Sequence, residues 1–180
     1  MATTVLMSGA AFDQLPYEEG RKWELVEGEL IPVASAIPEH QFIVNEFIGR
    51  FWIYFRDHPL GITLPDSEFA LGEAVRLRPD LAVLLSETWA KVDRKKTPIA
   101  LAPEIAIEVL SPSELTKDSL RKVWIYLGAG TREVWQVSAD DQRVVVYHSD
   151  KTARVLETGD RLGTPLLPGW EIGLSDLFRR

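Results

Sequence analysis

The chain has 180 residues, 46% of them hydrophobic and including six Trp and seven Phe, enough apolar surface for the core of one domain spanning 1–180. It has no Cys, which excludes disulfides, thiolate catalysis and cysteine-ligated zinc, and its three His (His40, His58, His148) lack zinc-ligand spacing, so any metal would be held by oxygen. A net charge of −7 argues against nonspecific coating of nucleic acid, while leaving room for a locally basic groove or a transient contact.

No run approaches the roughly 18 apolar residues of a membrane span, and Met1 to Ala11 lacks the basic start and long apolar stretch of a signal peptide. A cytoplasmic protein without a membrane partner is expected.

In chain order, Ser8 caps a short helix over Ala10 to Leu15, ended by Pro16. Trp23-Glu-Leu-Val and Leu30-Ile-Pro-Val flank Glu27-Gly28 as a β-hairpin. From Pro38 to about Asp57, Val44, Phe47, Ile48, Phe51, Trp52 and Phe55 recur at helical spacing and predict a long helix with one stripe facing the core. Ser67 to Leu71 and Ala74 to Leu85 read as strands joined around Gly72, and Ile105 to Leu110 as a short buried strand.

Ser111-Pro-Ser-Glu114 has the pattern of a capping box. It precedes a helix whose Leu120, Val123, Trp124 and Leu127 form the apolar stripe and which ends at Gly128-Ala-Gly130. That Gly-x-Gly follows a helix rather than a strand, which fits a helix C-cap and not a dinucleotide loop. Glu133 to Val137 and Arg143 to Tyr147 form a hairpin around Asp140-Asp141, Val155 adds an edge strand, and Leu167-Pro-Gly-Trp-Glu-Ile-Gly-Leu leads to a short closing helix. The order of elements predicts an α/β domain: a mixed sheet flanked by helices, with additional β-hairpins, in three layers or an open sandwich.

Two acids stand out. Period-two alternation places Asp80 on one strand face with Ala82 and Leu84. Glu108 lies in Ile105-Ala-Ile-Glu-Val-Leu110, a run buried on both faces, where an unpaired carboxylate costs several kcal/mol or moves its pKa upward. The residues alone leave two readings open: a divalent cation shared with Asp80, or a buried salt bridge from Glu108 to Arg78, Arg121 or Lys122.

Other candidate side chains also have ordinary structural readings. Glu24, Glu46 and Glu68 fall where solvated acids are common, His40 at a helix start more often makes a local hydrogen bond, and Trp135, Tyr147 and Trp170 serve either a homodimer face or the core.

The segments Arg78-Pro-Asp-Leu-Ala-Val-Leu, Ala102-Pro-Glu-Ile-Ala-Ile-Glu-Val-Leu-Ser-Pro-Ser and Lys122-Val-Trp-Ile-Tyr-Leu-Gly-Ala-Gly-Thr-Arg-Glu-Val-Trp, in this order, resemble the Uma2 family of putative restriction endonucleases. The likeness extends to Glu24-Leu-Val-Glu-Gly-Glu-Leu, His40 and Leu167-Pro-Gly-Trp. It implies a PD-(D/E)XK nuclease-like, restriction-endonuclease-like fold around a four-stranded mixed sheet. It also implies Mg²⁺ (or Mn²⁺) bound by Asp80 and Glu108, with the Val109 backbone carbonyl as a further ligand, and DNA as substrate.

The sequence departs from the parent motif at Leu110, where a strand-borne lysine is expected. The resemblance implies that Lys122, on the following helix, takes its place, with Lys117 a weaker substitute. Lys91, Arg94, Lys95, Lys96 and Arg121 are candidate phosphate contacts. The alternative is a noncatalytic binding or assembly module that retains the nuclease-like fold.

Overall fold

The computed structural model describes residues 6–16, 18–111 and 116–179. It begins with α1 (Gly9–Phe12), where Ser8 Oγ accepts from the Ala11 N–H at 3.2 Å as the N-cap. This helix is shorter than expected because the chain turns at Asp13 and Gln14. β1 (Lys22–Val26) and β2 (Glu29–Val33) form the predicted hairpin. Glu27 and Gly28 take φ of 50° and 87°, the two left-handed positions of a tight two-residue turn. α2 (Pro38–Asp57) has the expected bounds, with Pro38 in its first turn.

β3 (Gly61–Pro65) was not expected, and the single strand read over Ala74 to Leu85 is two. After β4 (Phe69–Gly72), β5 (Val75–Leu77) ends where Arg78-Pro79-Asp80 leaves one sheet, and β6 (Leu81–Leu85) begins in another. The physical cause lies in Pro79, which has no N–H to extend a ladder. A turn of helix, α3 (Ser86–Trp89), leads to β7 (Ile105–Leu110).

α4 (Thr116–Gly128) crosses over to β8 (Glu133–Ser138). Apart from Ser111, the expected capping box lies outside the described residues. β9 (Arg143–His148) and β10 (Ala153–Leu156) complete the hairpin and edge strand, and β11 (Arg161–Gly163), β12 (Glu171–Gly173) and α5 (Leu174–Leu177) close the chain.

The main sheet has six strands in the order β10-β9-β8-β7-β6-β3, and β1, β2, β4 and β5 form a second sheet in the order β2-β1-β5-β4. In the main sheet only β7 and β8 are parallel, as the α4 crossover requires. The inner strands β9-β8-β7-β6 correspond to the expected four-stranded mixed sheet, with β10 and β3 extending it.

One face carries Leu81, Val83, Ile105, Ile107, Trp135 and Val137 against Phe47 and Phe51 of α2. The other carries Ala106 and Val134 against Val123 and Tyr126 of α4 and Val26, Val75 and Leu77 of the second sheet. Trp135 and Trp170 are core residues, 0% and 5% exposed, and Phe51 stacks on Trp170 at 4.4 Å. They are not a surface for a second copy.

Both predicted helix stripes need correction. In α2, Trp52 is 64% exposed while Ile43 and Tyr54 are buried; in α4, Trp124 is 51% exposed and Tyr126 is fully buried instead. Each error took the residue next to the true stripe, 100° further round the helix.

Phe51→Ala should therefore lower stability by about 3–5 kcal/mol, whereas Trp52→Ala should stay within about 0.5 kcal/mol of wild type. Urea unfolding followed by circular dichroism measures both, and equal losses would contradict the assigned helix face.

Candidate active site

β6 and β7 pair through Val83–Ile105, Ala82–Ala106 and Leu81–Ile107. Continuing this register sets Asp80 opposite Glu108 and Pro79 opposite Val109. Asp80 and Glu108 then share the sheet face of Ala82 and Ala106, which is the face that α4 covers. Because backbone pairing with β6 has ended, the Val109 N–H donates to Asp80 Oδ2 at 2.7 Å. The other oxygen, Oδ1, lies 3.1 Å from His40 Nε2 in the first turn of α2. His40 thus belongs to the site rather than only to a helix end.

Glu108 is 7% exposed. Tyr126 donates its hydroxyl proton to Glu108 Oε1 at 2.8 Å, and Lys122 Nζ lies 3.9 Å from Oε2. The short contact of Lys122 is with Glu24 Oε2, at 2.7 Å, and Glu24 Oε1 accepts the Arg78 N–H at 2.8 Å. Lys122 and Tyr126 are i,i+4 neighbours, so one helix face presents both to the acids. With its side chain 16% exposed, Lys122 is largely buried although it lies beside the apolar stripe of α4.

Glu24 is the residue that sequence reasoning undervalued. It is 3% exposed and bonded at both oxygens, not a solvated hairpin acid. A signal was present: alternation along β1 puts it on the face of Val26, which packs in the cluster with Tyr126.

Burial pushes the Glu108 carboxyl well above its ordinary range. The Lys122 charge opposes this, the Asp80 and Glu24 charges add to it, and the Tyr126 hydrogen bond opposes it. Tyr126 is pushed up as well, first by burial and then by the charge of Glu108. Among the described residues, Glu24, Asp80 and Glu108 together outnumber Lys122, with His40 adding positive charge only when protonated. The excess of hard oxygen donors fits a divalent cation. Among the described residues, however, no three His, Asp or Glu side chains already form a metal cage.

Of the other candidates, Glu46 lies 3.7 Å from Arg50, and Glu68 is paired with Arg78 at 2.9 Å. Lys117 is exposed, with its charge felt by Glu29. Arg121 is a clasp on the β1–β2 hairpin, bonded to Glu27 at 2.6 Å and Glu29 at 2.8 Å, which commits it to structure rather than to phosphate. The Lys91 to Lys96 loop follows α3, with Arg94 over the Trp89 ring at 4.6 Å and Lys96 paired with Asp93 at 3.0 Å. Of the salt bridges weighed for Glu108, only the one to Lys122 has a counterpart, and at 3.9 Å it is a charge interaction rather than a hydrogen bond.

Residues 10–175 match the family described as "Uma2: Putative restriction endonuclease". The chain belongs to the Uma2 family. A solved structure described as a putative nuclease belonging to DUF820, from Anabaena variabilis, superposes with a TM-score of 0.83 at 23% identity, covering 96% of this chain and 97% of that one. That likeness establishes the nuclease-type fold for this Uma2 member. No curated protein matches the chain. No helix among the described residues is long and apolar enough to cross a membrane.

A carboxyl whose pKa is higher in the folded than in the unfolded chain favours folding while it is protonated. Its contribution is complete below the ordinary value of 4.5 and is lost as pH rises through the raised value. In metal-free buffer, Glu108→Gln should melt close to wild type near that lower limit and increasingly above it as the pH rises. Scanning calorimetry across that range checks this, and a wild type that stays the more stable protein in alkaline buffer would contradict the raised pKa.

Proposed function

We propose that this protein is a metal-dependent endonuclease that hydrolyses DNA phosphodiester bonds, with Mg²⁺ or Mn²⁺ held by Asp80, Glu108 and the Val109 carbonyl. The observation that carries the reading is the placement of two carboxylates side by side where β6 stops and β7 continues, with a partly buried lysine facing them. The Val109 carbonyl suits the role because a residue's N–H and C=O leave a strand on the same side, and its opposite residue, Pro79, has no N–H to occupy it. The description of the matched family and that of the similar structure support the same chemistry.

When bound, such an ion supplies positive charge at the phosphate and lowers the pKa of a water molecule. The chain's own residues supply the rest. His40 and the Val109 N–H orient Asp80, and Tyr126 fixes one oxygen of Glu108. Lys122, anchored by Glu24, places an ammonium beside the acids from α4, where it stabilises the attacking hydroxide or the charge that develops on phosphate oxygens. In the overall reaction, a water oxygen bonds to phosphorus as the bond to the leaving oxygen breaks, and the leaving oxygen takes up a proton.

One observation favours a second reading, a noncatalytic binding or assembly module. The short ion pair of Lys122 lies with Glu24, so its charge is already answered within the chain. Calorimetry with Mg²⁺ and Mn²⁺ separates the two readings, since a protein that binds neither ion would fit the second.

Plasmid and single-stranded DNA should be cut in Mg²⁺ or Mn²⁺, and Asp80→Ala, Glu108→Ala and Lys122→Ala should each lose at least about 100-fold in rate. Equal activity in all four preparations would sink the mechanism.

A further inference from the structure

β8 contributes a side chain that the chemistry above does not use. The parallel register of β7 and β8 sets Gln136 beside Glu108, and both side chains leave the same face of the sheet. A row therefore runs across adjacent strands, with Asp80 on the β6 side of Glu108 and Gln136 on the β8 side, at strand spacings of about 4.8 Å. Gln136 is 5% exposed, and its Nε2 is buried with no hydrogen-bond acceptor among the described residues. A buried amide donor left unpaired is expensive, and apolar side chains of similar size are common in such strands.

We infer that Gln136 is a positioning residue for Glu108, donating its amide N–H to the carboxylate when Glu108 serves as a metal ligand. The inference rests on the reading of Asp80 and Glu108 as the metal-binding pair. A ligating carboxylate has about four lone-pair sites. Tyr126 fills one of those on Oε1 from the helix above. A second donor from the neighbouring strand fills another and leaves the carboxylate one orientation in which to face the ion. Partners of this kind orient a metal ligand without touching the metal, and removing one typically costs about 10–100-fold in metal affinity or activity.

The role predicts that stability and function move in opposite directions. Gln136→Leu deletes an unpaired buried amide, so in chelator-treated buffer it should melt at or above the wild-type temperature. Its Mn²⁺ affinity by calorimetry, and its DNA cleavage rate, should fall by about 10–100-fold. Gln136→Met, longer and more adaptable, guards against a packing defect and should behave in the same way. Wild-type Mn²⁺ affinity in both variants would overturn the assignment, and so would a lowered metal-free melting temperature in both, which would make the amide an ordinary structural donor. If wild type itself binds no Mn²⁺, the metal-site reading falls and Gln136 loses its role with it. If wild type binds and cleaves while both variants match it, only the Gln136 assignment fails.

Discussion

β7 continues past the point at which β6 begins, and the site is built in the resulting gap. Pairing stops at Leu81–Ile107 because Arg78-Pro79-Asp80 is passing from one sheet to the other, and Pro79 has no proton to give. The Val109 N–H still needs an acceptor and finds one in the Asp80 carboxylate. A side chain thus replaces a backbone partner at the end of the ladder, and that substitution fixes Asp80 beside Glu108. Were β6 longer, the same backbone groups would be used up in the sheet.

The acids are also the joint between layers. Glu24 comes from the second sheet, Glu108 from the main sheet, and Lys122 and Tyr126 from α4. The Arg78 N–H, bonded to Glu24, sits in the segment that links the two sheets. Removing Lys122 would leave two buried carboxylates facing one another, so the position is structurally demanding. Arg121, one residue earlier, clamps the β1–β2 hairpin through Glu27 and Glu29, which holds Glu24 in register with α4.

This arrangement suits an acidic protein. With a net charge of −7, broad attraction for a polyanion is not what the fold provides. Charge at the site is local instead: burial raises the Glu108 pKa, the Lys122 charge opposes this, and the Asp80 and Glu24 charges add to it.

Much of this was legible in the sequence. The bounds of α2 and β7 and the β1–β2 and β8–β9 hairpins follow from periodicity and turn chemistry, and the cost of a charge in an apolar strand is what marks Glu108 as unusual. These are local signals, carried by residues a few positions apart. What only the tertiary structure decided was partnership across long separations. The sequence does not show that Pro79 divides the run from Ala74 to Leu85 between two sheets, that Glu24 rather than Glu108 takes the short contact of Lys122, or that Arg121 is spent on a hairpin. It also hides that Tyr126 rather than Trp124 faces the core, and that Gln136 lies beside Glu108. An ammonium or an amide has no preferred acceptor until folding brings strands and helices into register, so the sequence by itself determined which residues are costly to bury, and the fold determined which neighbours answer for them.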